Sequence, residues 1–167
     1  TPHKDLRGQF VKQFSKSVFE SYNLRSEFCE SFYSISQKSV IRGMHFQTPP
    51  KEHAKLVYVS NGSIIDVVLD LRQDSTTYKK SFYIKLDSTN LKCLYIPEGF
   101  AHGFLSLEDN TKVHYMQTSE YDKDYDCGIK YDSFGFEWNK IAKQYDIDKF
   151  IISNRDLSFS DRIEGYF

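Results

Sequence analysis

Cysteine is scarce in this chain, and what little there is forms no pattern. Cys29, Cys93 and Cys127 are odd in number, far apart and outside any metal-ligand or redox spacing. That argues against a disulfide framework and points to free thiols in a reducing cytoplasm. An excess of charge of either sign is also missing: 22 basic residues face 23 acidic ones, for a formal net charge of -1. The chain therefore offers no electrostatic case for a nucleic-acid partner or an anionic membrane surface, and an anionic substrate would have to be gripped by local positive charge. No apolar run approaches transmembrane length and no signal-peptide pattern opens the chain, so no membrane partner is expected. Repeats, low-complexity tracts and linkers are absent, and 167 residues suit one compact domain spanning 1–167.

Aromatic residues, by contrast, are abundant. Fourteen Phe and twelve Tyr fall largely in alternating runs, which favours β structure around a wide, aromatic-lined interior. Strands are expected over 55–60 and 63–71, joined as a hairpin through Asn61-Gly62. Within the second of these, Ile65, Val67, Leu69 and Leu71 share one face while Asp66 and Asp70 share the other. Further strands are expected over 81–86 and 92–96, and a second hairpin joins 104–107 to 112–118 across Glu108-Asp109-Asn110. Helix is sparse, with weak candidates near 19–22 and 140–145. Many short strands at regular spacing predict a mainly β, antiparallel barrel or sandwich with a few short helices.

The chemistry centres on Arg42-Gly43-Met44-His45-Phe46-Gln47. A guanidinium that can hold phosphate and an imidazole that titrates near neutral pH lie three residues apart, and Lys55 follows ten residues on. Of the five histidines, His3 and His53 read as solvated loop residues, and His114 alternates with Tyr115 on a strand, so at most one of those two can point inward. His45 and His102 remain. His102 lies in Pro97-Glu98-Gly99-Phe100-Ala101-His102-Gly103-Phe104, where Pro and Gly set a bend that aims the imidazole inward. Its P-x-G-x-x-H spacing is also half of the metal motif of cupin barrels, but the H-x-H half is missing around His45. Coordination by two histidines alone would be incomplete, and no metal or other cofactor is expected.

RGMHFQTPP, Lys55-Leu56-Val57, Asp70-Leu71-Arg72, Asp74-Ser75-Thr76-Thr77-Tyr78 and IPEGFAHGF, in this order, resemble the signature blocks of the dTDP-4-dehydrorhamnose 3,5-epimerase family. The similarity runs from about Asp5-Leu6-Arg7-Gly8 to Arg155-Asp156. It implies a cupin-like jelly roll that exchanges protons at the carbons beside the ketone of a nucleotide-diphosphate 4-keto sugar. By the same resemblance His45 is the base, Asp156 orients it, Lys55 faces the enolate oxygen, and Tyr115 returns a proton from the opposite side. Arg42, Arg7 and His102 would line the substrate site. Asp126 stands where the family usually has glutamate and Arg155 where it has lysine, both as substrate contacts. The family's N-terminal strand commonly crosses to a second copy, so a homodimer is implied, with Arg7 in the neighbour's site.

Departures from the family pattern bear on the substrate. Lys12 replaces an acid, and Glu30-Ser31-Phe32 replaces a Gln-Asp-Asn run, at positions that usually serve the nucleotide end of the ligand. A CDP-, GDP- or UDP-linked sugar, or inversion at only one of C3 and C5, stays open as an alternative. A metal-dependent cupin and a non-catalytic sugar-binding cupin are rival classes, separable by bound metal and by the absence of proton exchange.

Overall fold

The computed structural model describes residues 2–167. Two antiparallel sheets carry the chemistry. The strands are β1 (His3–Asp5), β2 (Gly8–Phe10), β3 (Glu30–Ser36), β4 (Ile41–Gln47), β5 (Lys55–Asn61), β6 (Ser63–Asp70), β7 (Ser81–Asp87), β8 (Cys93–Ile96), β9 (Phe100–Ser106), β10 (Thr111–Gln117) and β11 (Asp126–Gly128). One sheet has the order β3-β10-β5-β8 and the other β11-β4-β9-β6-β7, while β1 and β2 form a separate two-stranded ribbon. Three short helices accompany them: α1 (Lys16–Ser21), α2 (Trp138–Ala142), which runs into a 3₁₀ turn at Lys143–Tyr145, and α3 (Asn154–Leu157). From β3 to β6 the chain alternates between sheets at every step, and it does so again from β7 to β11. That alternation makes the sandwich a jelly roll. Among the described residues no helix is long and apolar enough to cross a membrane.

The alternation corrects both expected hairpins. β5 pairs with β10 and β8, whereas β6 pairs with β9 and β7, so Asn61-Gly62 is a corner between sheets. Gly62 serves that corner at φ +76°, where a Cβ would fall 2.3 Å from Thr111 Oγ1. Likewise β9 belongs to one sheet and β10 to the other, so Glu108-Asp109-Asn110 also turns a corner. Turn chemistry marks a reversal but does not choose the partner strand. Here burial chooses it: every residue of β6 is buried, which requires a neighbouring strand on both edges and cover on both faces.

Two apolar layers result. Ile65, Val67, Leu69 and Leu71 do share a face, and it packs outward against Trp138, Ile141, Ala142 and Ile147 of the C-terminal segment. The opposite face of β6 places Ile64 and Val68 between the sheets with Val57, Val59, Phe104 and Val113. Asp66 shares that inner face by strand alternation, so the polar side of β6 is the interior one. α1 takes in 19–21 of the candidate at 19–22, with Tyr22 as its C-cap, and α2 with its 3₁₀ turn covers the candidate at 140–145.

Candidate active site

A cavity of about 250 Å³ opens between the sheets. His45 and Arg42 reach it from β4 and His102 from β9 of the five-stranded sheet, while Lys55 from β5 and Tyr115 from β10 reach it from the four-stranded sheet. Strict strand alternation would send Arg42 and His45 to opposite faces. A register shift in the β4–β9 ladder between these residues removes the conflict. The extra residue at Gly43-Met44 buries Met44 in the outer layer with Ile41 and turns both Arg42 and His45 inward. Glycine is required here: Gly43 has φ +122°, and a Cβ would lie 2.5 Å from Gly103 Cα and 2.7 Å from the His102 carbonyl oxygen.

Asp156 ties this bulge to the imidazole. Its Oδ1 lies 2.9 Å from His45 Nε2, and its Oδ2 accepts the Gly43 N–H at 3.0 Å. The carboxylate is placed by the first turn of α3, where Ser153 caps the helix by accepting the Asp156 N–H at 3.1 Å. With Nε2 committed to the carboxylate, Nδ1 is the nitrogen that keeps a lone pair for a substrate proton. Burial pulls the His45 pKa below its ordinary value; Asp156 pulls it back up, and Lys55 and Arg155 push it down again. Burial alone would raise Asp156, but hydrogen bonds from His45, Gly43 and Ser153 carry its pKa below the usual carboxylate value. The result at neutral pH is a neutral imidazole beside an ionised carboxylate, the state a general base needs.

Lys55 is buried, and its Nζ donates to the His45 carbonyl oxygen at 3.3 Å. Burial lowers its pKa to about 8, against the opposing pull of Asp126 and Asp66. Tyr115 is also buried, with its hydroxyl 3.1 Å from Ser34 Oγ. Burial raises the phenol pKa, so Tyr115 holds its proton at neutral pH. Phe32 stacks on the Tyr115 ring at 4.9 Å between centroids and lines the same cavity. His114, the residue before Tyr115, points away as alternation demands: it stacks on Tyr58 and meets Ser60 Oγ at 2.7 Å.

The remaining expected residues divide clearly. Arg42 is held by Ser36 Oγ at 3.0 Å and the Ile35 carbonyl at 3.3 Å, and it borders the cavity. Arg155 and Asp126 form an ion pair on the cavity wall, and the Tyr121 hydroxyl donates to Asp126 at 3.2 Å. His102 is buried and paired through Nε2 with Asp66 Oδ1, so a second imidazole–carboxylate couple stands beside the first on the neighbouring strand. Arg7 is not brought to this cavity. It sits on the exposed β1–β2 ribbon in an ion pair with Asp5.

Three residues escaped the sequence reading. Asp66 could have been found as an acid at the centre of an otherwise apolar strand, since a buried carboxylate there demands a partner. Ser34 carries no sequence signal of its own. His53, expected in a solvated loop, instead lines the cavity, with both ring nitrogens buried. The charged neighbours Lys51 and Glu52 suggested solvent, but the segment folds back at the base of β5, two residues before Lys55. Among the described residues no group of three or more His, Cys, Asp or Glu side chains is gathered to hold a metal ion.

Fold and site together define a jelly-roll enzyme of the epimerase class, with a carboxylate-oriented imidazole and a protonated phenol on opposing sheets. Residues 1–162 match the family model described as dTDP-4-dehydrorhamnose 3,5-epimerase, and the chain belongs to that family. It is 39% identical over 159 residues to the dTDP-4-dehydrorhamnose 3,5-epimerase of Methanothermobacter thermautotrophicus, covering 94% of this chain and 83% of that protein. Among solved structures, it is similar to dTDP-4-dehydrorhamnose 3,5-epimerase from Sulfolobus tokodaii, with a TM-score of 0.85 and 36% identity over 95% of this chain and 85% of the other. The dTDP-6-deoxy-D-glucose-3,5-epimerase of Legionella pneumophila, solved in complex with dTDP-4-keto-L-rhamnose, has a TM-score of 0.87 and 28% identity, over 96% and 83% of the two chains.

Proposed function

We propose that this chain inverts C3 and C5 of a dTDP-linked 4-keto-6-deoxy sugar by stepwise proton exchange. The single observation that carries this reading is the placement of the Asp156-bound His45 and the protonated Tyr115 on opposite sheets of one cavity, with Lys55 in the same wall and bonded to the His45 carbonyl. His45 Nδ1 takes the proton from the carbon beside the ketone. The C–H electron pair moves into the C4–oxygen system as an enolate, and the Lys55 ammonium stabilises the oxygen that gains charge. Tyr115 then delivers its proton to the other face of the same carbon, and the configuration inverts. His102 with Asp66 holds the sugar, and Arg42, Arg155 and Asp126 serve the diphosphate and nucleotide end.

The working unit in this reading is a homodimer. Leu6 and Phe10 stand exposed on the β1–β2 ribbon, and Arg7 does not line its own cavity, which suits a ribbon that crosses to a second copy and adds Arg7 to its site. The three free thiols support a cytoplasmic setting. Phe32 in the cavity wall favours one alternative, a different base or sugar, because a phenyl ring cannot hydrogen-bond where an amide could. Incubation in D2O with dTDP-4-keto-6-deoxyglucose and with the CDP, GDP and UDP sugars tests both readings. Incorporation at C3 and C5 of the dTDP sugar is expected; incorporation from another nucleotide alone selects the alternative, and none from any of them overturns the proposal.

A further inference from the structure

His53 is the one cavity-wall imidazole that the mechanism leaves unused. His45 is bonded to Asp156 and His102 to Asp66, yet both His53 nitrogens are buried with no hydrogen-bond partner among the described residues. A buried imidazole in a purely structural role satisfies at least one nitrogen within the fold, because an unmade bond forfeits the water it replaced. His53 instead borders the same cavity as Lys55 and His102. We propose that His53 is a substrate-contacting residue whose ring turns as substrate binds, so that the nitrogens now buried in the wall hydrogen-bond oxygens of the sugar next to Lys55.

Burial and the nearby Lys55 and His102 push the His53 pKa down to about 2, so the ring stays neutral throughout the working range. A neutral imidazole has one donor and one acceptor, and it can match a ketone or enolate oxygen on one side and a sugar hydroxyl on the other. It adds no second positive charge beside Lys55, which would lower the proton affinity of that ammonium further. His53 lies two residues before Lys55, the first residue of β5, and both side chains line the cavity. The role assigned is binding and orientation of the sugar. It rests on the reading of this cavity as a keto-sugar site.

The test uses the full-length wild-type protein, imidazole ¹⁵N NMR and dTDP-4-keto-6-deoxyglucose as the probe. The expected result is a His53 spectrum that is neutral with and without probe, and whose two nitrogen shifts move on binding as one tautomer is fixed. In deuterium exchange, His53→Phe should lower kcat/KM by about 10- to 100-fold, the loss of one or two bonds to a charge-developing substrate. His53→Gln, which keeps a donor and an acceptor, should restore most of that loss. His53 shifts unmoved by bound probe, or a folded His53→Phe with unaltered kcat/KM, would overturn the proposal. The two failures separate cleanly: if wild-type protein binds the probe and moves the His53 shifts but exchanges no deuterium, the epimerase reading fails and the contact stands.

Discussion

The Asp156 carboxylate holds both the His45 ring and the backbone that aims it, meeting Nε2 at 2.9 Å with one oxygen and the Gly43 N–H at 3.0 Å with the other. Orientation and basicity of the imidazole therefore depend on one side chain. Asp156→Asn should fold, because an amide oxygen can still accept the Gly43 N–H, but it fixes the wrong tautomer or none. A fall in kcat of about 10²–10⁴-fold is expected, measured as inversion of the keto sugar. Asp156→Ala strands a buried N–H as well, and chemical denaturation should show an added loss of about 1–3 kcal/mol.

In the proposed mechanism Tyr115 and His45 act on opposite faces of the sugar, so their variants should fail differently. With Tyr115→Phe, His45 still removes a proton and can return a solvent deuteron on the same side. Exchange without inversion is expected, with net epimerisation reduced by about 10²–10⁴-fold. NMR of the recovered sugar distinguishes label with retained configuration from label with inverted configuration. Equal loss of exchange and inversion in this variant would show that Tyr115 is needed before the enolate forms.

In the proposed mechanism the sign of the pH profile follows from His45 and Lys55, both of whose pKa values are lowered. His45 must be neutral, and its pKa lies below its ordinary value, so kcat/KM should already be near its plateau at pH 7 and fall only on acidification. Lys55 must be charged, and its pKa is lowered to about 8, so activity should decline as pH rises through that value. Lys55→Arg, where it retains activity, should remove the alkaline limb because guanidinium does not deprotonate there. An alkaline limb left unshifted by Lys55→Arg would assign that ionisation to another group.

Gly43 makes the bulge possible, and its replacement should be felt in both stability and catalysis. Gly43→Ala puts a methyl group against Gly103 Cα in a left-handed backbone conformation. The strain should lower stability by about 1–3 kcal/mol and reduce activity by turning His45 away from Asp156. Thermal unfolding and the rate of deuterium exchange check the two effects separately.

Much of this site was legible because its residues sit in ordered blocks. Arg42, His45, Lys55, His102, Tyr115, Asp126 and Arg155 all border one cavity, with Asp156 directly behind His45. The strands themselves were readable from alternation, but their pairing was not. Asn61-Gly62 carries the chemistry of a hairpin turn, and only the burial of both faces of β6 shows that its neighbours must come from elsewhere in the chain. Asp66 and His53 were hidden for related reasons. The face of β6 that reads as polar is the one turned inward, and the charged stretch before Lys55 says nothing about the cavity beneath it. Charge in sequence reports the cost of burial, and a functional cavity is where that cost is met by pairing or by a ligand.

The most direct test of the central claim is proton exchange by wild-type protein and His45→Asn with dTDP-4-keto-6-deoxyglucose in D2O. The mechanism predicts deuterium at C3 and C5 of the inverted sugar from the wild type, and a loss of about 10²–10⁴-fold or more from the variant at both carbons. Undiminished exchange by a folded His45→Asn would contradict it, because the proton would then leave through a group other than His45.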